Sequence, residues 1–136
     1  MAPDAVLKEN LELGESFLNA NIAKDGVFST TSGLQYEVMK DADGPKPGAT
    51  DSVEVHYKGT FIDGAEFDSS YSRGMPASFP LDRVISGWTE GLQLMSVGAS
   101  FRFFIPPDLA YGENAPPAIG PGRTLIFEVE LLGIKG

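Results

Sequence analysis

The chain has 136 residues, among them sixteen Gly, ten Pro, nine Phe, four Tyr and one Trp, a composition that suits one compact, turn-rich domain rather than a disordered polypeptide. Nineteen Asp and Glu against ten Lys and Arg give a net charge of −9, which repels phosphate backbones and argues against nucleic-acid binding and against anchoring on an anionic membrane. Cys is absent, removing disulfides, thiolate metal sites and a cysteine nucleophile, and no apolar run approaches the ~20 residues of a membrane span.

Residues 4–24 read as a helix, with Asp4 a candidate N-cap after Pro3. Leu7, Leu11, Leu18 and Ile22 recur at near-helical spacing beside Leu13 and Phe17. Lys24-Asp25-Gly26 supplies a stop. Such a stripe must lie on something. It either packs on its own domain or, as the end of a longer helix, faces a partner. Residues 26–33, with Ser29-Thr30-Thr31-Ser32, read as a linker.

From residue 33 the period becomes two: Leu34, Tyr36 and Val38 alternate with polar neighbours. Asp41-Ala42-Asp43-Gly44-Pro45 is a turn cluster; the later ligands and closing Glu of a calcium loop are missing. Val53, Val55, Tyr57, Gly59 and Phe61 share one face of the next strand, and Glu54, His56 and Lys58 the other. Asp63-Gly64 marks a tight turn, Glu66-Phe67-Asp68 begins a returning strand, and residues 69–76 read as a loop or bulge. Ser78-Phe79-Pro80-Leu81 is a short edge strand, because Pro80 cannot donate to a ladder. Residues 87–95 form a short helix carrying Trp88, Leu92 and Met95. Phe101–Ile105 is apolar on both faces and so central. Residues 110–122 are a Pro-rich loop, and Thr124–Ile134 is the last strand. These elements predict an α+β domain: an antiparallel sheet of five to six strands with one short helix covering one face, and an N-terminal helix appended.

The catalytic inventory is sparse. The sole histidine, His56, reads as a solvated residue on a polar strand face, and no G-x-S-x-G elbow exists to make a triad with it. With one His and no Cys, no clustered metal-ligand spacing is present. Gly120-Pro121-Gly122 lacks the spacing and the following helix of a dinucleotide loop. What stands out is a set of aromatics from separate elements, Tyr57, Phe67, Phe79, Trp88, Tyr111 and Phe127, with Asp68 and Arg73 just beyond Phe67. A sheet half covered by one short helix leaves its other end open, and aromatics there would line an apolar pocket of the small-ligand type.

In order along the chain, Val55-His56-Tyr57-Lys58-Gly59, Asp63-Gly64, Phe67-Asp68-Ser69-Ser70, Val84-Ile85-Ser86-Gly87-Trp88, Met95-Ser96-Val97-Gly98, Pro107-Asp108-Leu109-Ala110-Tyr111-Gly112 and the closing stretch 124–132 resemble the FK506-binding-protein (FKBP) family. The resemblance runs from about residue 33 to 136. Tyr71-Ser72-Arg73-Gly74, Pro76-Ala77 and Phe79-Pro80 are similar to its bacterial macrophage-infectivity-potentiator branch. In that branch a long helix joins a dimerisation domain to the catalytic domain. Residues 1–32 then represent the remnant of that helix and a linker, and 33–136 the catalytic domain. The implied activity is peptidyl-prolyl cis–trans isomerisation, without a cofactor or a metal, on X–Pro-containing polypeptides. The resemblance also implies FK506- and rapamycin-type macrolides as ligands, a homodimer for a full-length form, and a monomer for this chain. An excised or mature portion would belong to the periplasm or cell envelope, and a complete chain to the cytoplasm.

Carried over by position, the resemblance implies catalytic roles for Tyr57, Phe67, Asp68, Tyr111 and Phe127. It implies substrate binding by Arg73, Phe79, Val84, Ile85, Trp88 and Ile119, with Trp88 as the pocket floor. Ala77 stands where some members have an aromatic, which widens one wall. The alternative is a binding or chaperone module that captures proline-containing segments with little turnover. A further alternative is an interaction domain working through the N-terminal helix.

Overall fold

The computed structural model describes residues 3–135. Helix α1 spans Pro3–Asn21. It begins one residue before Asp4, whose side chain, read as a cap, lies outside the described residues. The helix also ends earlier than residue 24. The Asn21 amide donates to Gln35 Oε1 at 2.8 Å, and Gln35 Nε2 donates to the Leu18 carbonyl at 3.1 Å, so a strand residue caps the final turn.

The stretch expected as a linker is instead strand β1, Val27–Ser29, paired antiparallel with β2, Gln35–Lys40. Strand β3 (Ser52–Phe61) is followed by β4 (Glu66–Ser69) and β5 (Ala77–Pro80). Strands β6 (Ser100–Ile105) and β7 (Leu125–Lys135) complete the sheet. Seven strands form it, rather than five or six, in the order β1-β2-β6-β7-β3-β4, with β5 paired to the opposite end of the same β3 edge. Every pairing is antiparallel. Between β4 and β5 the expected loop contains a helical turn, α2 (Ser70–Arg73), capped by the Ser69 side chain and closed by Gly74 at φ 74°.

Helix α3 (Ser86–Leu92) lies across the concave face and buries Trp88 and Leu92. Its close approach has a steric cause. A Cβ at Gly87 would stand 2.6 Å from Ile105 Cγ2, and one at Gly91 would stand 2.7 Å from Phe103 Cε1. Two glycines one turn apart therefore let the helix backbone rest directly on β6. Leu34, Val53, Val55, Leu81, Leu92, Met95, Phe103, Leu125 and Leu131 make up the interior beneath it.

The N-terminal helix packs on its own domain. Phe17 meets Phe104 at 6.0 Å between ring centroids, Leu7 and Leu11 occupy the space beside Gly122, and the Asn10 amide donates to the Pro121 carbonyl at 2.8 Å. Leu13 remains 52% exposed, so only part of the apolar stripe is covered. No described helix is long and apolar enough to cross a membrane.

Candidate active site

At the open end of the concave face lies a cavity of about 290 Å³ lined by Tyr57, Phe67, Asp68, Phe79, Arg83, Val84, Ile85, Trp88, Tyr111 and Phe127. Strand alternation delivers Tyr57 from β3 and Phe127 from β7, and helix α3 delivers Trp88. Alternation alone would send the consecutive residues Phe67 and Asp68 to opposite faces. Here Gly59 pairs with Asp68 and Thr60 with Glu66, so Phe67 is left as an extra residue in β4. Such a bulge re-aims side chains, and both neighbours line the cavity.

The rings meet edge to face. Trp88 packs against Tyr57 at 5.2 Å and 88°, Phe127 at 5.4 Å and 88°, and Phe79 at 5.4 Å and 83°. Phe67 meets Phe127 at 5.5 Å and 88°. This is the arrangement that ring quadrupoles favour. Gly59 makes room for it: a Cβ there would lie 2.7 Å from Phe67 Cζ and 2.8 Å from Phe127 Cε1.

Polar groups gather on one wall. The Tyr57 hydroxyl donates to Asp68 Oδ2 at 2.5 Å. Arg73 donates from Nη1 to Asp68 Oδ1 at 2.5 Å and from Nη2 to the Tyr57 hydroxyl at 3.1 Å. Burial opposes ionisation of Asp68, but the bonds from Tyr57 and Arg73 outweigh it and hold its pKa below the usual carboxylate value. Burial, and then the bond to the Asp68 carboxylate, raise the Tyr57 phenol above its usual value. At neutral pH the wall therefore presents an ionised carboxylate and an intact phenol.

Behind this wall, the buried Ser70 hydroxyl accepts the Tyr57 N–H at 2.7 Å and meets His56 Nδ1 at 2.8 Å. It joins α2, which carries Arg73, to the strand that carries Tyr57. His56 is thus not the solvated residue that its polar strand face suggested. It is half-buried, bonded to Ser70 and stacked on Tyr71 at 4.6 Å.

Two of the expected residues do not line the cavity. Arg73 stands outside it and acts on Asp68 and Tyr57. Ile119 is buried in the hydrophobic core, its N–H bonded to the Pro116 carbonyl at 2.9 Å. Ala77, paired with Val55, is also absent from the lining. Conversely, Arg83 lines the cavity although the sequence does not single it out. An exposed arginine between Asp82 and Val84 has no periodic or compositional signal that marks a pocket residue.

The family model described as FKBP-type peptidyl-prolyl cis-trans isomerase matches residues 44–132, and the domain amino-terminal to such isomerases matches residues 2–38. The FKBP-type peptidyl-prolyl cis-trans isomerase FkpA of Aeromonas hydrophila is 58% identical over 132 residues, covering 97% of this chain and 48% of the relative. The outer membrane protein MIP of Legionella longbeachae is 47% identical, covering 94% and 55%. The chain thus spans about half the length of these curated relatives. The crystal structure of FkpA from Escherichia coli superposes with a TM-score of 0.95 at 44% identity, covering 98% of this chain and 62% of that one. A peptidyl-prolyl cis-trans isomerase from Pseudomonas syringae pv. tomato gives 0.88 at 40% identity and covers 95% and 96%. The isomerase model covers more than half of the chain and the fold superposes on these solved structures, so the chain belongs to the FKBP-type peptidyl-prolyl cis-trans isomerase family.

Proposed function

We propose that this chain catalyses cis–trans rotation about X–Pro bonds in polypeptides and so assists their folding. The observation that carries this reading is the edge-to-face packing of Tyr57, Phe79, Trp88, Phe127 and Phe67 around a cavity of about 290 Å³. Rotation about an amide meets a barrier of about 18–20 kcal/mol, because twisting removes resonance. Uncatalysed X–Pro exchange takes tens to hundreds of seconds. A catalyst must bind the twisted amide more tightly than either planar form. The twisted amide has lost much of its dipole and its nitrogen has become pyramidal. Apolar ring walls penalise the planar, dipolar amide more than the twisted one.

Trp88, Phe79 and Val84 hold the prolyl ring in this reading. Tyr57, Phe67, Phe127 and Asp68 surround the rotating carbonyl. The Tyr111 hydroxyl and the Ile85 N–H fix the peptide on either side. The Ile85 carbonyl already accepts the N–H groups of Trp88 and Thr89, so its N–H is the backbone group it has to offer. Arg73 is a positioning residue for Asp68, and Ile119 supports the 110–122 loop from the core rather than touching substrate. Rotation proceeds in this scheme without a nucleophile or a proton transfer. Residues 33–136 carry the activity, since every lining side chain falls between 57 and 127. Macrolides of the FK506 and rapamycin type are proposed to compete for the same cavity. A monomer is proposed for this chain, because α1 spends Leu7, Leu11 and Phe17 on its own domain.

The test is a protease-coupled assay on a short X–Pro peptide with and without a macrolide. Turnover that the macrolide suppresses is expected. Tight binding of the peptide with no acceleration of exchange would favour the capture module instead.

A further inference from the structure

Arg83 closes a 3-10 turn, Leu81–Arg83, that is fastened at its base. Leu81 is fully buried, its N–H donates to the Asp51 carbonyl at 2.9 Å, and its own carbonyl accepts the Thr89 hydroxyl at 2.5 Å. An anchored turn of this kind presents a side chain from a fixed point. Asp68 and Arg83 are the charged side chains of the cavity lining. The Asp68 carboxylate is matched by Arg73. No ion pair among the described residues involves Arg83, which is exposed. Its neighbour Asp82 is exposed too and is not part of the lining. The rim therefore carries one unmatched positive charge on a chain of net charge −9.

We propose that Arg83 is a specificity-determining residue that favours substrates with an acidic side chain flanking the X–Pro bond. The inference rests on the isomerase reading above and names a substrate class for that same site. The general negative field of the chain works against acidic peptides at a distance. At physiological ionic strength that field is screened beyond about 8 Å. A guanidinium at the rim acts inside that range, on a peptide already seated against the rings, and its fork suits a carboxylate.

The experiment compares kcat/KM on short X–Pro peptides that differ by Glu, Ala or Lys at the positions flanking the X–Pro pair. The readout is the Glu-to-Lys ratio, so a uniform change in activity cancels. The wild-type ratio is expected at about threefold, the scale of a solvent-exposed ion pair. Arg83→Ala should bring it towards one, Arg83→Glu should invert it, and Arg83→Lys should retain most of it. A ratio unchanged in Arg83→Ala overturns the inference. Failure of the wild type to turn over the Ala peptide would instead sink the isomerase reading. Calorimetric binding of the Glu and Lys peptides to wild type and Arg83→Ala would then decide the role of Arg83 separately.

Discussion

The two faces of strand β3 do opposite work. Towards the inside, Val53, Val55, Tyr57 and Gly59 are buried and end at the aromatic cavity. Towards the outside, Glu54, His56 and Lys58 are half-exposed, opposite a β7 face that bears Glu128 and Glu130. There Arg102 bridges Glu37 at 2.9 Å and Glu128 at 3.5 Å. Inside, geometry is set by hard contact between rings and backbone, which tolerates little change. Outside, charges interact through water and are largely screened. One strand thus teaches that a conspicuous charged ladder carries less of the fold than an inconspicuous glycine between two phenyl rings.

That contrast can be broken from either side. Trp88→Ala removes the ring that meets three others. It should cost about 3–5 kcal/mol in urea unfolding and abolish most turnover. A loss no greater than that of an outer-face variant would undo the contrast. Next comes Gly59→Ala. The added methyl must displace Phe67 and Phe127, at about 1–3 kcal/mol. Its kcat/KM should fall although no lining side chain has been altered.

Asp68→Ala should lower kcat/KM roughly tenfold, about 1.4 kcal/mol of transition-state stabilisation, with the domain still folded. Complete loss of activity would point to acid–base chemistry. The same residue predicts a pH effect. Its folded pKa lies below the ordinary value, so its stabilising share is present above about pH 4 and disappears as pH falls through the depressed folded value. The Tm gap between wild type and Asp68→Asn should therefore narrow with acidification, and a gap constant to pH 2 would contradict the assigned pairing. The smallest effect is expected from Glu37→Gln on the outer face. Its side chain and that of Arg102 are about a third exposed, and such a pair contributes about 1 kcal/mol or less. Activity should be unchanged, and added salt should erase the stability difference.

Much of this was legible in the sequence because period-two alternation is a strong signal. It identified β3, β7 and the inward set that reaches Tyr57 and Phe127, while the helical spacing of Trp88 and Leu92 identified α3, which ends at Leu92, short of the expected Met95. The remainder escapes a local reading because it depends on pairing or packing outside the segment concerned. Strand β1 is three residues in a Ser/Thr-rich stretch and exists because β2 pairs with it. The end of α1 is fixed by Gln35, fourteen positions beyond Asn21. Loop residues such as Ile119 have no period to say which way they point. Phe67 belongs to the aromatic set that the sequence singles out, with Asp68 just beyond it, but the slip in register that brings both to the cavity has no sequence pattern.

Gly87 and Gly91 hold α3 against β6 by what they lack. A single methyl at either position would collide with the Ile105 or Phe103 side chain, so either that side chain or the helix carrying Trp88 must give way. In the isomerase reading proposed above, the depth open to a prolyl ring would depend on two missing carbon atoms, at positions outside the cavity lining.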